Sequence, residues 1–125
     1  MSHDGTVPQE LLQAYCTEDE NKIAEAGGID IQLLGIGSNG HIGFNEPGSH
    51  VSSPTRLITL DLSTRTDASS DFGGIANVPK KAITMGVGTI LKATRIILLV
   101  WGERKADILK KAVEGPVTEF VHASY

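Results

Sequence analysis

The stretch IDIQLLGIG, from Ile29 to Gly37, is a short, nearly continuous apolar run that stops on glycine. A strand with apolar residues on successive positions has no polar face to offer water, so it belongs in a parallel sheet covered on both sides. A second run, RIILLVWG from Arg95 to Gly102, is the strongest strand signal in the chain. Two weaker strands lie between them: RLITLDL (56–62), and KAITMG, which leads through Gly86 and Gly88 into a short helix, TILKA. Helical spacing appears first after Pro8, where Leu11, Leu12 and Tyr15 mark one face and Gly27-Gly28 the stop. The polar segment Ser63 to Ser70 reads as a short surface helix or turn. Glu103 to Glu114 is a helix carrying Ala106, Ile108, Leu109, Ala112 and Val113, with Gly115-Pro116 as its stop. Strands alternating with helices predict an α/β fold, a three-layer Rossmann-like arrangement with a mainly parallel sheet. Four strands are few for such a sheet, whose faces and edges need covering. The 125 residues therefore read as one domain, a partial version of a larger one, expected to form a homo-oligomer or to pair with a complementing chain.

The first strand runs into GIGSNGHIGFNEPG (35–48), where five glycines surround one histidine and one glutamate. Glycine at that density costs backbone entropy and is kept where the chain turns tightly or a ligand comes close. Ligands of open α/β sheets collect beyond the carboxyl ends of the strands, which is where this loop sits. Glycine backbone N–H groups there, at Gly37 and Gly40 among others, are expected to approach an anionic or hydroxylated ligand. Pro47 biases Glu46 towards an extended conformation from which its carboxylate can turn back to His41. Such a carboxylate would fix the ring tautomer and hold the imidazolium form, suiting a proton shuttle. The same residues also fit a plain surface loop in which His41 only bonds backbone, and chemistry alone does not choose between the two.

Composition narrows the partners. A net charge of −4 and a pI near 5.5, with Lys/Arg adjacent only as the pairs 80–81, 104–105 and 110–111, leave no electrostatic footprint for nucleic acid. Cys16 is the only cysteine, so no internal disulfide forms and a reducing compartment fits. The segment MSHDGTVPQE has no apolar signal region and no apolar run reaches membrane-spanning length, so the expected location is cytoplasmic. His3, His41, His50 and His122 do not fall at metal-ligand spacings.

The blocks LLGIGSNGHIGFNEPG, TRLITL, VPKKAITMGVGTIL, IILLVWGERKA and AVEGPV resemble, in order and spacing, the glucosamine-6-phosphate deaminase/isomerase family over nearly the whole chain. The resemblance implies that D-glucosamine 6-phosphate and water become D-fructose 6-phosphate and ammonia through ring opening, an aldose-ketose proton transfer and loss of the amine. It implies a small sugar phosphate as ligand and no metal or organic cofactor. Carried over by motif, His41 is the acid/base of ring opening and Glu46 the carboxylate paired with it. Asn39 stands where many members have aspartate and others asparagine, and would orient His41; being neutral, it should leave the His41 pKa lower than a second carboxylate would. Lys105 matches the phosphate-binding lysine. A lysine near a helix N-terminus gains most when an anion bridges it to the helix N–H groups.

The chain departs from the family pattern in several places. The strand, glycine-rich phosphate loop and aspartate base that open family members are not among these residues, and neither are the last strand and helix. Ser70 replaces a phosphate-holding arginine, leaving Arg65 or Arg56 as the available substitute. Ile58 replaces a lysine through which allosteric members bind N-acetylglucosamine 6-phosphate, although Arg56 and Thr59 are kept. Two other functions fit less well. A 6-phosphogluconolactonase-like hydrolase has a similar glycine-histidine loop but no counterpart of Glu46. A non-catalytic sugar-phosphate-binding domain is favoured only by the lack of the aspartate base.

Overall fold

The computed structural model describes residues 6–125, so His3 lies outside the described residues. A 3-10 turn, Gln9–Leu11, opens helix α1 (Leu12–Glu25), which gives way to strand β1 (Ile31–Gly35). After the glycine-rich loop come β2 (Arg56–Thr59), α2 (Leu62–Asp67), β3 (Lys81–Thr84), α3 (Val87–Leu91), β4 (Arg95–Leu99) and α4 (Ala106–Glu114). β1 and β4 pair in parallel, Leu33 opposite Ile97 and Gly35 opposite Leu99. The chain is thus α/β, with its two most apolar runs side by side. β2 and β3 form a separate antiparallel pair, Arg56 opposite Thr84. Sequence patterning gave no signal for that orientation.

Alternation along β1 places Leu34 inward, and Ile36 just beyond the strand follows it. Leu34 packs with Ile42 and Ile90, while Ile36 packs with Ile108 and Ala112 of α4; Leu98 of β4 joins both clusters. Ile42 belongs to the glycine-rich loop, so the core lies directly beneath that loop and anchors it. The opposite face of the β1–β4 pair is uncovered: Ile31, Leu33, Ile97 and Leu99 are exposed, and Trp101 beyond β4 is 78% exposed. The expected burial of both strand faces therefore does not hold within these residues. The predicted helix faces change in the same way. Val113 is 75% exposed although Ile108 and Ala112 are buried. α1 buries Cys16 and Asp19 while Leu11 remains exposed.

Candidate active site

His41, Asn39 and Glu46 come together on the loop after β1. The His41 Nδ1 lies 2.6 Å from Asn39 Oδ1, and the same oxygen accepts from the His41 backbone N–H at 3.2 Å. Asn39 Nδ2 donates to Glu46 Oε2 at 3.1 Å. These contacts set the amide orientation, because the reverse would oppose two donors at His41 and two acceptors at Glu46. Nδ1 therefore carries the ring proton, leaving Nε2 with the lone pair. Glu46 stands beside His41 as its spacing suggested, with Oε2 3.9 Å from Nδ1, an ion-pair distance for a protonated ring, while the hydrogen bonds between the two run through Asn39. The other carboxylate oxygen, Oε1, accepts from the Asp61 backbone N–H at 3.1 Å.

Burial pushes the His41 imidazole below its ordinary value, and the nearby charges do not reverse the direction: Glu46 and Asp67 raise it, Lys105 and His122 lower it. The ring is consequently neutral near neutral pH. The expected hold on the imidazolium does not prevail, because desolvation outweighs a carboxylate standing one amide away.

The two loop glycines have different tasks. A Cβ on Gly37 would stand 2.2 Å from His41 Cε1 and 2.5 Å from Nε2, so the imidazole lies directly on this residue. Gly40 has φ +88°, and a Cβ there would meet Val121 and Ile108. The Gly37 N–H donates to the His41 carbonyl and the Gly40 N–H to the Gly37 carbonyl, each at 2.9 Å. Neither N–H is left for a ligand. The glycines shape the loop where backbone donation had been expected.

A cleft of about 530 Å³ opens beside the ring. Gly37, His41, Phe44, Asp67, Lys81 and Lys105 are among its lining residues. Lys105, half-buried, comes from the 3-10 turn just before α4 and lines the same cleft as His41. Ser70 is exposed, and neither it nor Arg56 or Arg65 lines the cleft; the further cation is Lys81. Asp67 escaped sequence reasoning. It accepts from the Ser38 hydroxyl at 2.6 Å and ties the end of α2 to the loop. No local pattern marks a pair 29 residues apart. Among the described residues no group of three acidic, histidine or cysteine side chains could hold a metal ion.

This loop, with its histidine, amide and carboxylate beside a lysine-lined cleft, can be compared with known proteins. Residues 1–124 match the family described as glucosamine-6-phosphate isomerases/6-phosphogluconolactonase. The chain belongs to this family. It is 55% identical over 107 residues to a glucosamine-6-phosphate deaminase of Corynebacterium urealyticum, covering 86% of this chain and 42% of that protein. A glucosamine-6-phosphate deaminase of Streptomyces avermitilis is 50% identical over 125 residues, 99% of this chain and 47% of that protein. A solved structure of a monomeric glucosamine-6-phosphate deaminase of the NagB superfamily superposes with TM-score 0.92 at 46% identity, over 97% of this chain and 49% of that one. The chain thus spans less than half the length of these relatives, and the fold described above is that of the corresponding part of the family domain.

Proposed function

We propose that the site belongs to a glucosamine-6-phosphate deaminase, a hydrolase acting on a C–N bond that yields D-fructose 6-phosphate and ammonia. The observation that carries this reading is the His41–Asn39–Glu46 chain, which leaves a neutral Nε2 on a cleft shared with Lys105. In this role Nε2 takes the proton of the anomeric hydroxyl, the bond from C1 to the ring oxygen breaks, and the proton passes to that oxygen. The product is the open-chain aldehyde, and His41 is restored. Lys105 takes the phosphate, with the first N–H groups of α4 beside it. The base implied by the resemblance for moving the C2 proton lies outside the 125 residues, as does the loss of ammonia that follows. Glu46 favours this reading over the lactonase, whose loop has no counterpart.

The apolar face formed by Ile31, Leu33, Ile97, Leu99 and Trp101 supports a partner as well. We assign it to the half of the family domain that these residues do not span, in the same or a separate polypeptide. Among the described residues no helix is long and apolar enough to cross a membrane. The buried, unpaired thiol of Cys16 supports a cytoplasmic location.

The test is release of ammonia and fructose 6-phosphate from glucosamine 6-phosphate. The 125 residues alone are expected to be inactive. A chimera in which they replace the matching part of the Streptomyces avermitilis deaminase is expected to turn over. His41→Gln in that chimera should lower turnover by about 10²- to 10⁴-fold, the usual worth of a general acid/base. Glu46→Gln removes a charge that raises the His41 pKa, so the acidic limb of the rate profile should move to lower pH. Unchanged turnover in His41→Gln would remove the catalytic reading.

A further inference from the structure

Behind the site lies a guanidinium that the mechanism above does not use. Arg56 opens β2 and turns back under the loop. One terminal nitrogen donates to Asn45 Oδ1 at 2.9 Å and to the Pro54 carbonyl at 3.2 Å; the other donates to Ser49 Oγ at 3.0 Å. All three acceptors are neutral. Asn45 and Ser49 flank Glu46-Pro47-Gly48, so a single planar fork grips the chain on both sides of the carboxylate.

Each gripped residue is itself held from other directions. Asn45 is fully buried, and its Nδ2 donates to the Ile42 and Met85 carbonyls at 2.9 Å each, which leaves Oδ1 facing Arg56. The Ser49 hydroxyl donates to the Glu46 carbonyl at 2.7 Å, the Ser49 N–H donates to the same carbonyl at 3.0 Å, and the Ser49 carbonyl accepts from His122 Nε2 at 2.8 Å. Arg56 is therefore the member that joins the buried Asn45 to the Ser49 turn. Burial pushes the pKa of its guanidinium below the ordinary value, with no carboxylate beside it to offset the shift. A half-buried cation facing only neutral oxygens still loses part of its hydration, and in this position it has a geometric consequence.

We propose that Arg56 is a positioning residue: by clamping Asn45 and Ser49 it sets where the Glu46 carboxylate stands and, through Asn39, how the His41 ring is held. The proposal rests on the deaminase reading only for what the site does; the geometry it claims is independent of turnover. It also gives Arg56 a role within the loop, since both terminal nitrogens are engaged there. Lysine cannot replace it, because an ammonium is a point charge and cannot span the two acceptors as a planar fork does.

The experiment uses the full 125-residue chain, as wild type, Arg56→Lys and Arg56→Ala. Amide hydrogen exchange is followed residue by residue, and the His41 imidazole is titrated by NMR, so neither readout needs activity. Arg56→Lys keeps the charge and should speed exchange at the Asn45, Gly48 and Ser49 amides by about tenfold or more, the loss of one hydrogen bond to a charged group. Exchange in α1 should stay at the wild-type rate, and the His41 pKa should rise towards 6.5 as the ring gains water. Arg56→Ala should show the same pattern, more strongly. Equal acceleration in α1 and the loop would mean that Arg56 merely stabilises the fold, and would overturn the proposal. Wild-type exchange at residues 45 to 49 with an unmoved His41 titration in Arg56→Lys would overturn it as well.

Discussion

Replacing Gly37 by alanine tests the site at the point where backbone and chemistry touch. No positive φ is required at this position, so alanine meets no backbone strain; the new methyl meets the imidazole instead. Its carbon would lie 2.2 Å from Cε1, 2.3 Å from Nδ1 and 2.5 Å from Nε2 of His41. Carbon atoms in contact settle at about 3.5–4.0 Å, so the ring has to retreat by more than 1 Å. Such a retreat breaks the 2.6 Å contact with Asn39 Oδ1 and moves Nε2 away from the oxygen on which it is proposed to act. Misplacement of about 1 Å in a positioned group costs on the order of 10²-fold in rate. Because the ring borders an open cleft, it can swing outward, so the loss of stability should stay below that of a core change, roughly 1 kcal/mol. The assay is kcat for ammonia release in the Streptomyces chimera, together with the chemical-denaturation midpoint and the NMR titration of His41. Turnover should fall about a hundredfold while the midpoint barely moves, and the His41 pKa should rise as the displaced ring is hydrated. Turnover within a factor of about three of wild type, with an unmoved titration, would refute the packing of the ring on Gly37 as the reason for this glycine.

Gly40→Ala should behave in the opposite way. With φ +88° and a Cβ against Val121 and Ile108, it should destabilise the chain by about 1–3 kcal/mol in denaturant melts. Asp67→Asn removes a negative charge from a cleft proposed to take a phosphate, so KM for glucosamine 6-phosphate should fall severalfold with kcat little changed; a higher KM would count against Lys105 and the cleft as the phosphate site. Acid should also weaken the fold through His41. Its folded pKa lies below the unfolded value of 6.5, so beneath that pH the unfolded chain binds more protons, and stability should fall from pH 6.5 down to the folded pKa. Denaturation midpoints measured across that window should flatten in His41→Gln.

Periodicity along the chain was enough to place the four strands and the helices α1, α3 and α4 near their observed positions, because apolar spacing and glycine or proline stops act within a few residues; residues 63–70 read equally as a helix or a turn, and the 3-10 turns Ile75–Asn77 and His122–Ser124 had no such signal. RIILLVWG became β4, and the segment from Glu103 became a 3-10 turn and α4. The glycine-rich loop, with His41, Asn39 and Glu46 on it, was also legible, since all three lie within eight consecutive residues. The tertiary structure decided how these groups meet. It put Asn39 between His41 and Glu46, lowered the imidazole through burial, and brought Asp67 to Ser38 and Arg56 to Asn45 and Ser49. It also turned β2 and β3 antiparallel and left Leu33, Leu99 and Val113 exposed despite their apolar pattern. Hydrophobic spacing states which residues avoid water, but a hydrogen bond or a buried face needs a partner in space. That partner is settled only when the loop seats Ile42 on the core and the distant segments close around it.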